Sequence, residues 1–81
     1  MFDYDASAEL YFGHAGGRAR RRIGYRRFAS ASAAVQFAVE QLAPAAFNGA
    51  FLEVNDARFN AGEILLLYED SAFPLSRKAA G

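Results

Sequence analysis

The sequence predicts a small α+β fold. Three observations carry that expectation. The opening stretch places apolar residues at every second position, a middle stretch repeats them at helical spacing, and a turn-bounded strand pair then runs into a second helical pattern. The predicted order is ββαββα, a small antiparallel sheet covered on one face by two helices. The domain is expected to span residues 1–75, with 76–81 a disordered C-terminal tail.

The first strand follows from "MFDYDASAELYFG". Phe2, Tyr4, Ala6, Ala8, Leu10 and Phe12 alternate with Asp3, Asp5, Ser7, Glu9 and Tyr11, so one face is buried and the other wet. Turn formers at Asp5-Ala6-Ser7 predict a break there, which leaves 8–13 as the firm part. The glycines in "HAGGRAR" make a connection, and "RRIGYRRF" makes a second strand. Pairing Leu10 with Tyr25 and Phe12 with Ile23 gathers four apolar side chains on one face. The same register sets Glu9 opposite Arg26 and Tyr11 over Gly24, and a slip of two residues would preserve those faces.

Residues 30–43 read as a helix. Ser30 or Ser32 can cap its start, and Val35, Ala38, Val39 and Leu42 form a buried stripe that leaves Phe37 aside. Pro44 cannot extend it for long. Asn48-Gly49 is a turn signal before a strand at Ala50 to Val54. Asn55-Asp56 is a two-residue turn, and Ala57 to Phe59 return. Asn60 followed by Glu63 has capping-box spacing, and Ile64, Leu67 and Tyr68 make a helical stripe that ends near Asp70. Phe73-Pro74-Leu75 is expected to pack back onto the body.

Composition narrows the functional classes. Eighty-one residues with 53% hydrophobic side chains make one ordered domain with a modest core. The absence of cysteine excludes disulfides, thiolate metal sites and thiol nucleophiles. A single histidine, His14, makes a zinc site unexpected, and no cofactor is expected. The acidic start "MFDYDASAEL" lacks the basic region of a signal peptide, and no apolar run approaches the ~18–20 residues that span a bilayer. The expected location is the cytoplasm.

The densest chemical feature is an arginine block. Arg18, Arg20, Arg21, Arg22, Arg26 and Arg27 supply six of nine cationic side chains in a chain of zero net charge. Forked guanidinium donors suit phosphate oxygens, and Tyr11 would add an aromatic platform if it shared a face with Arg22 and Arg26. The block fits neither a phosphate-loop nor a dinucleotide fingerprint. Its simpler reading is a solvated strand, with Asp3, Asp5 and Glu9 neutralising arginines, and with Arg21 and Arg27 leaning over the core edges. No serine has a nucleophile-elbow context, and His14 has no evident orienting carboxylate.

Apolar surface exceeds what one small core needs. Phe37 lies off its stripe, Leu65 and Leu66 extend the second helix's apolar face beyond Leu67, and Phe73 follows in the tail. The expectation is therefore a non-catalytic protein-interaction or self-associating module, a homodimer or the binder of a protein partner. Its expected contact residues are Phe37, Leu65, Leu66 and Phe73. The alternative is a nucleic-acid-binding module using the 18–27 arginines and Tyr11. An accessory subunit of a larger enzyme is a third, minor reading.

Overall fold

The computed structural model describes residues 2–13 and 23–76. Their elements are β1 (Ala8–Gly13), β2 (Ile23–Phe28), α1 (Ala31–Gln41), α2 (Pro44–Asn48), β3 (Phe51–Val54), β4 (Ala57–Asn60) and α3 (Ala61–Glu69). The α+β class and the two hairpins agree with the sequence reading. The strands form one antiparallel sheet in the order β2-β1-β3-β4. Helices α1 and α3 pack together on one of its faces, α1 over β1 and β2 and α3 beside β4.

The alternation at the start of the chain survives its break. Asp3 Oδ1 accepts from the Asp5 amide and the Asp3 carbonyl from the Ala6 amide, so the chain turns before β1 begins. Phe2, Tyr4 and Ala6 still pack against the core while Asp3, Asp5 and Ser7 stay exposed. The Tyr4 hydroxyl donates to the Leu67 carbonyl at 2.8 Å, and the Tyr4 carbonyl accepts from the Ser32 amide at 2.9 Å. These two bonds tie the opening segment to both helices.

The first hairpin corrects the expected register by one residue. Leu10 faces Arg26, Tyr11 faces Tyr25, Phe12 faces Gly24 and Glu9 faces Arg27. A one-residue slip exchanges every side chain of β2 between the two faces. The physical reason lies at Gly24. A Cβ there would come within 2.2 Å of the Phe12 ring, so the missing side chain is the space that Phe12 occupies. Phe12 therefore lies over glycine, and Tyr25 joins Tyr11 on the face away from the helices.

Helix α1 is capped by Ser30, whose Oγ accepts from the Ala33 amide. It stops at Gln41 rather than 43, and its buried stripe is Ala31, Ala34, Val35 and Ala38, with Val39 and Leu42 only half-buried. Three alanines on that stripe let the helix axis approach the sheet closely. Pro44 does more than end α1: it opens the short helix α2, which the sequence reading missed. Proline suits that first helical position because its fixed φ is helical and its lost amide would have no partner there. Gly49 closes α2.

The second hairpin follows its turn chemistry. Asn55 and Asp56 both have positive φ, 50° and 68°, as a two-residue type I′ turn requires. Asn60 and Glu63 complete the expected capping box, with Glu63 N donating to Asn60 Oδ1 at 2.9 Å and Asn60 N to Glu63 Oε1 at 2.8 Å. Leu10, Leu52, Ile64 and Val35 are the largest fully buried side chains. Phe73 returns to this core against Tyr4 and Tyr68, as expected of the Phe73–Leu75 segment.

Candidate interaction surfaces

The face of the sheet turned away from the helices carries a row of aromatic rings. Strand alternation puts Leu10 and Leu52 in the core, so their neighbours Tyr11 and Phe51 point outward. Tyr11 and Phe51 sit opposite each other and stack, their centroids 4.9 Å apart and their planes inclined by 18°. Tyr25 extends the row across β2 with its centroid 5.1 Å from Tyr11. At the other end the Arg58 guanidinium lies 4.4 Å from the Phe51 centroid. Arginine, phenylalanine and two tyrosines thus cross all four strands.

Charge of both signs borders this row. Glu9 and Glu53 are directly opposite each other, a pairing that like charge disfavours. Arg58 relieves it by binding Glu53 at 2.9 Å, the one ion pair among the described residues. Glu9 is relieved differently: Tyr11 and Tyr25 donate their hydroxyls to its two oxygens, at 3.3 and 3.1 Å. Both tyrosines hold their protons above the ordinary value of 10.0. Loss of hydration is the largest cause, followed by Glu9, while nearby Arg27 pulls Tyr25 the other way.

The opposite layer presents a second feature, at the edge where β2 meets α1. Arg26 does not share a face with Tyr11, as the expected register required; it lies on the helix side. Its guanidinium sits 4.8 Å from the Phe37 centroid and 5.2 Å from that of Phe28. Phe37, which fell off the helical stripe, packs against Phe28 and Phe12 and closes this end of the sheet. Arg26, Phe28, Ala33, Gln36, Phe37 and Gln41 line a shallow cleft of about 410 Å³.

The other residues singled out from sequence are dispersed. Arg18, Arg20, Arg21 and Arg22 lie outside the described residues, as do His14 and the tail residues 77–81. Arg27 stands on the open face opposite Glu9 and not over the core edge, a second consequence of the one-residue shift. Leu66 is 68% exposed and Leu65 37% on the outer side of α3, whereas Phe73 is inside the core. The sequence reading missed Tyr25, Phe51 and Arg58 as surface groups. The signal for Phe51 was present, because Leu52 and Val54 claim the core side of β3 and leave Phe51 and Glu53 the other.

Among the described residues, no three His, Asp or Glu side chains gather as metal ligands, and no helix is long and apolar enough to cross a membrane. Compared with known protein families, curated proteins and solved structures, the chain matches none.

Proposed function

We propose that this chain is a non-catalytic protein-interaction module that pairs with a second copy of itself through the open face of its sheet. The observation that carries this reading is the Arg58–Phe51–Tyr11–Tyr25 row, with Tyr25 51% exposed at its end. Tyrosine, phenylalanine and arginine are the side chains enriched where proteins bind one another. Their row across the sheet offers broad contact at little cost in side-chain entropy. Glu9 and Glu53 beside Arg27 and Arg58 make the face electrostatically self-complementary, since a twofold pairing can set each sign against the other.

The same features favour this reading over nucleic-acid binding. Tyr11 and Phe51 cover each other's ring faces, and Arg58 covers the far side of Phe51, so stacking surface for bases is limited to the Tyr25 end. Two carboxylates share the face and would repel phosphates. The arginine reading now rests on Arg18, Arg20, Arg21 and Arg22.

Sedimentation velocity over two decades of concentration tests the proposal. The wild-type chain is expected to move from monomer to dimer, and Tyr25→Glu to remain a folded monomer. Leu66→Glu, on the other layer, should dimerise like wild type. A monomeric wild type at every concentration would reject self-association. A monomeric Leu66→Glu beside a dimeric Tyr25→Glu would move the contact to α3.

A further inference from the structure

We propose that the cleft between the outer edge of β2 and α1 docks an extended peptide segment bearing a carboxylate side chain. The site is separate from the open face and does not depend on the pairing proposed above.

Three observations converge on it. First, β2 is an outer strand of the sheet, paired with β1 on one side only among the described residues. Alternate residues along such an edge turn their amide and carbonyl groups outward, where an added strand can pair with them. Second, the cleft lies beside that edge on the helix side, with Phe28, Phe37 and the small side chain of Ala33 in its lining. An edge strand flanked by a helix and an apolar cleft is the geometry of strand addition: backbone bonds hold the peptide, and every second side chain enters the cleft.

Third, Arg26 selects the charge of the occupant. The guanidinium carbon lies over both rings, 4.8 Å from the Phe37 centroid and 5.2 Å from that of Phe28. A ring face attracts the cation but offers no oxygen to its N–H groups, and among the described residues these donors have no hydrogen-bond acceptor or ion-pair partner. A guanidinium held against two rings, with its forked donors unspent, suits a bidentate carboxylate. Gln41 adds an amide at the cleft wall, while Gln36 is engaged with the Ser76 carbonyl at 3.0 Å. An acidic side chain two positions from an apolar one would place the carboxylate on Arg26 and the apolar group against the packed pair Phe28 and Phe37.

The test uses the isotope-labelled full chain and four blocked peptides of the pattern Thr-X-Thr-Glu-Thr-X-Thr, with X valine, leucine, isoleucine or phenylalanine. At least one is expected to shift the β2 amide resonances. Exchanging its glutamate for lysine should weaken binding about tenfold or more, and Arg26→Ala should cause a loss of similar size. With Arg26→Ala in place, the glutamate and lysine peptides should no longer differ. Arg26 is solvent-exposed, so its variant should fold. If it does not, the comparison of the two peptides on the wild-type chain decides alone. The proposal is overturned if none of the four peptides moves the β2 amides, or if the lysine peptide binds equally well. It is also overturned if those amides shift with protein concentration alone in Tyr25→Glu, where pairing through the open face is removed, because the occupant would then be the β2 of a second copy.

Discussion

A Cβ built on Gly24 would lie 2.2 Å from Cε2 of Phe12, well inside the contact distance of the ring. Gly24→Ala must therefore push aside an aromatic side chain that Phe37 supports from above, at a cost of about 1–3 kcal/mol. The cost should fall sharply when Phe12 is also replaced by leucine, and chemical denaturation of the four proteins of that cycle measures the coupling. Additive losses would show that Gly24 does not act through Phe12. Glu9 makes a different kind of prediction. Because the folded-state values of Tyr11 and Tyr25 are raised, their contribution to stability is complete below pH 10.0 and is lost as pH rises through the folded-state values. Tyrosinate absorbance should thus appear at higher pH in the native chain than in the denatured one. Glu9→Gln should return part of the shift, and the remainder belongs to lost hydration. An unchanged native titration in that variant would mean that Glu9 does not hold these protons.

Among the elements, α3 depends most visibly on its cap. It spans only Ala61–Glu69, too short to persist without tertiary packing and satisfied end groups. Asn60 and Glu63 satisfy two backbone amides reciprocally, and Asn60 is also the last residue of β4, so strand and helix join with no intervening loop. Asn60→Ala is expected to cost about 0.5–2 kcal/mol. Glu63→Ala should cost less, because it spares the Asn60 side-chain bond. Urea midpoints with an unchanged slope would report both losses, and equal stability of Asn60→Ala and wild type would contradict the role of the cap. At the other end of α3, Tyr68 donates to Glu40 Oε2 at 2.5 Å, so the helix that the cap begins is fastened to α1 near its end.

At the scale of the whole molecule, a small core sets the terms. Among the described residues its fully buried large side chains are few, and five of the twelve buried hydrophobic residues are alanines, which add little area. Domains of this size sit near the low end of the usual stability range of roughly 5–15 kcal/mol. Covering the open aromatic face with a second copy would add burial that the monomer lacks. The thermal midpoint should then rise with protein concentration, by mass action, and the rise should vanish in Tyr25→Glu. Scanning calorimetry at three concentrations checks this. A concentration-independent midpoint in the wild type would show that any pairing adds nothing to stability.

Local chemistry was enough for much of this protein. The period-two pattern of residues 8–13, a cap by Ser30 or Ser32, the Asn55-Asp56 turn and the Asn60–Glu63 box each act over a few residues, and the sequence by itself determined them. The α+β class followed from their order. Pro44 shows the limit of that reading, since proline ends one helix and begins another by the same fixed φ. What only the tertiary structure decided are relations between distant segments: the order β2-β1-β3-β4, the register of the first hairpin and therefore the two surfaces. The register depends on one ring filling the space above one glycine twelve residues away, and periodicity is blind to that complementarity. Shifting β2 by a single residue moved Arg26 to the helix side and Tyr25 to the open face. An alternating pattern states which residues share a side, but packing chooses the side.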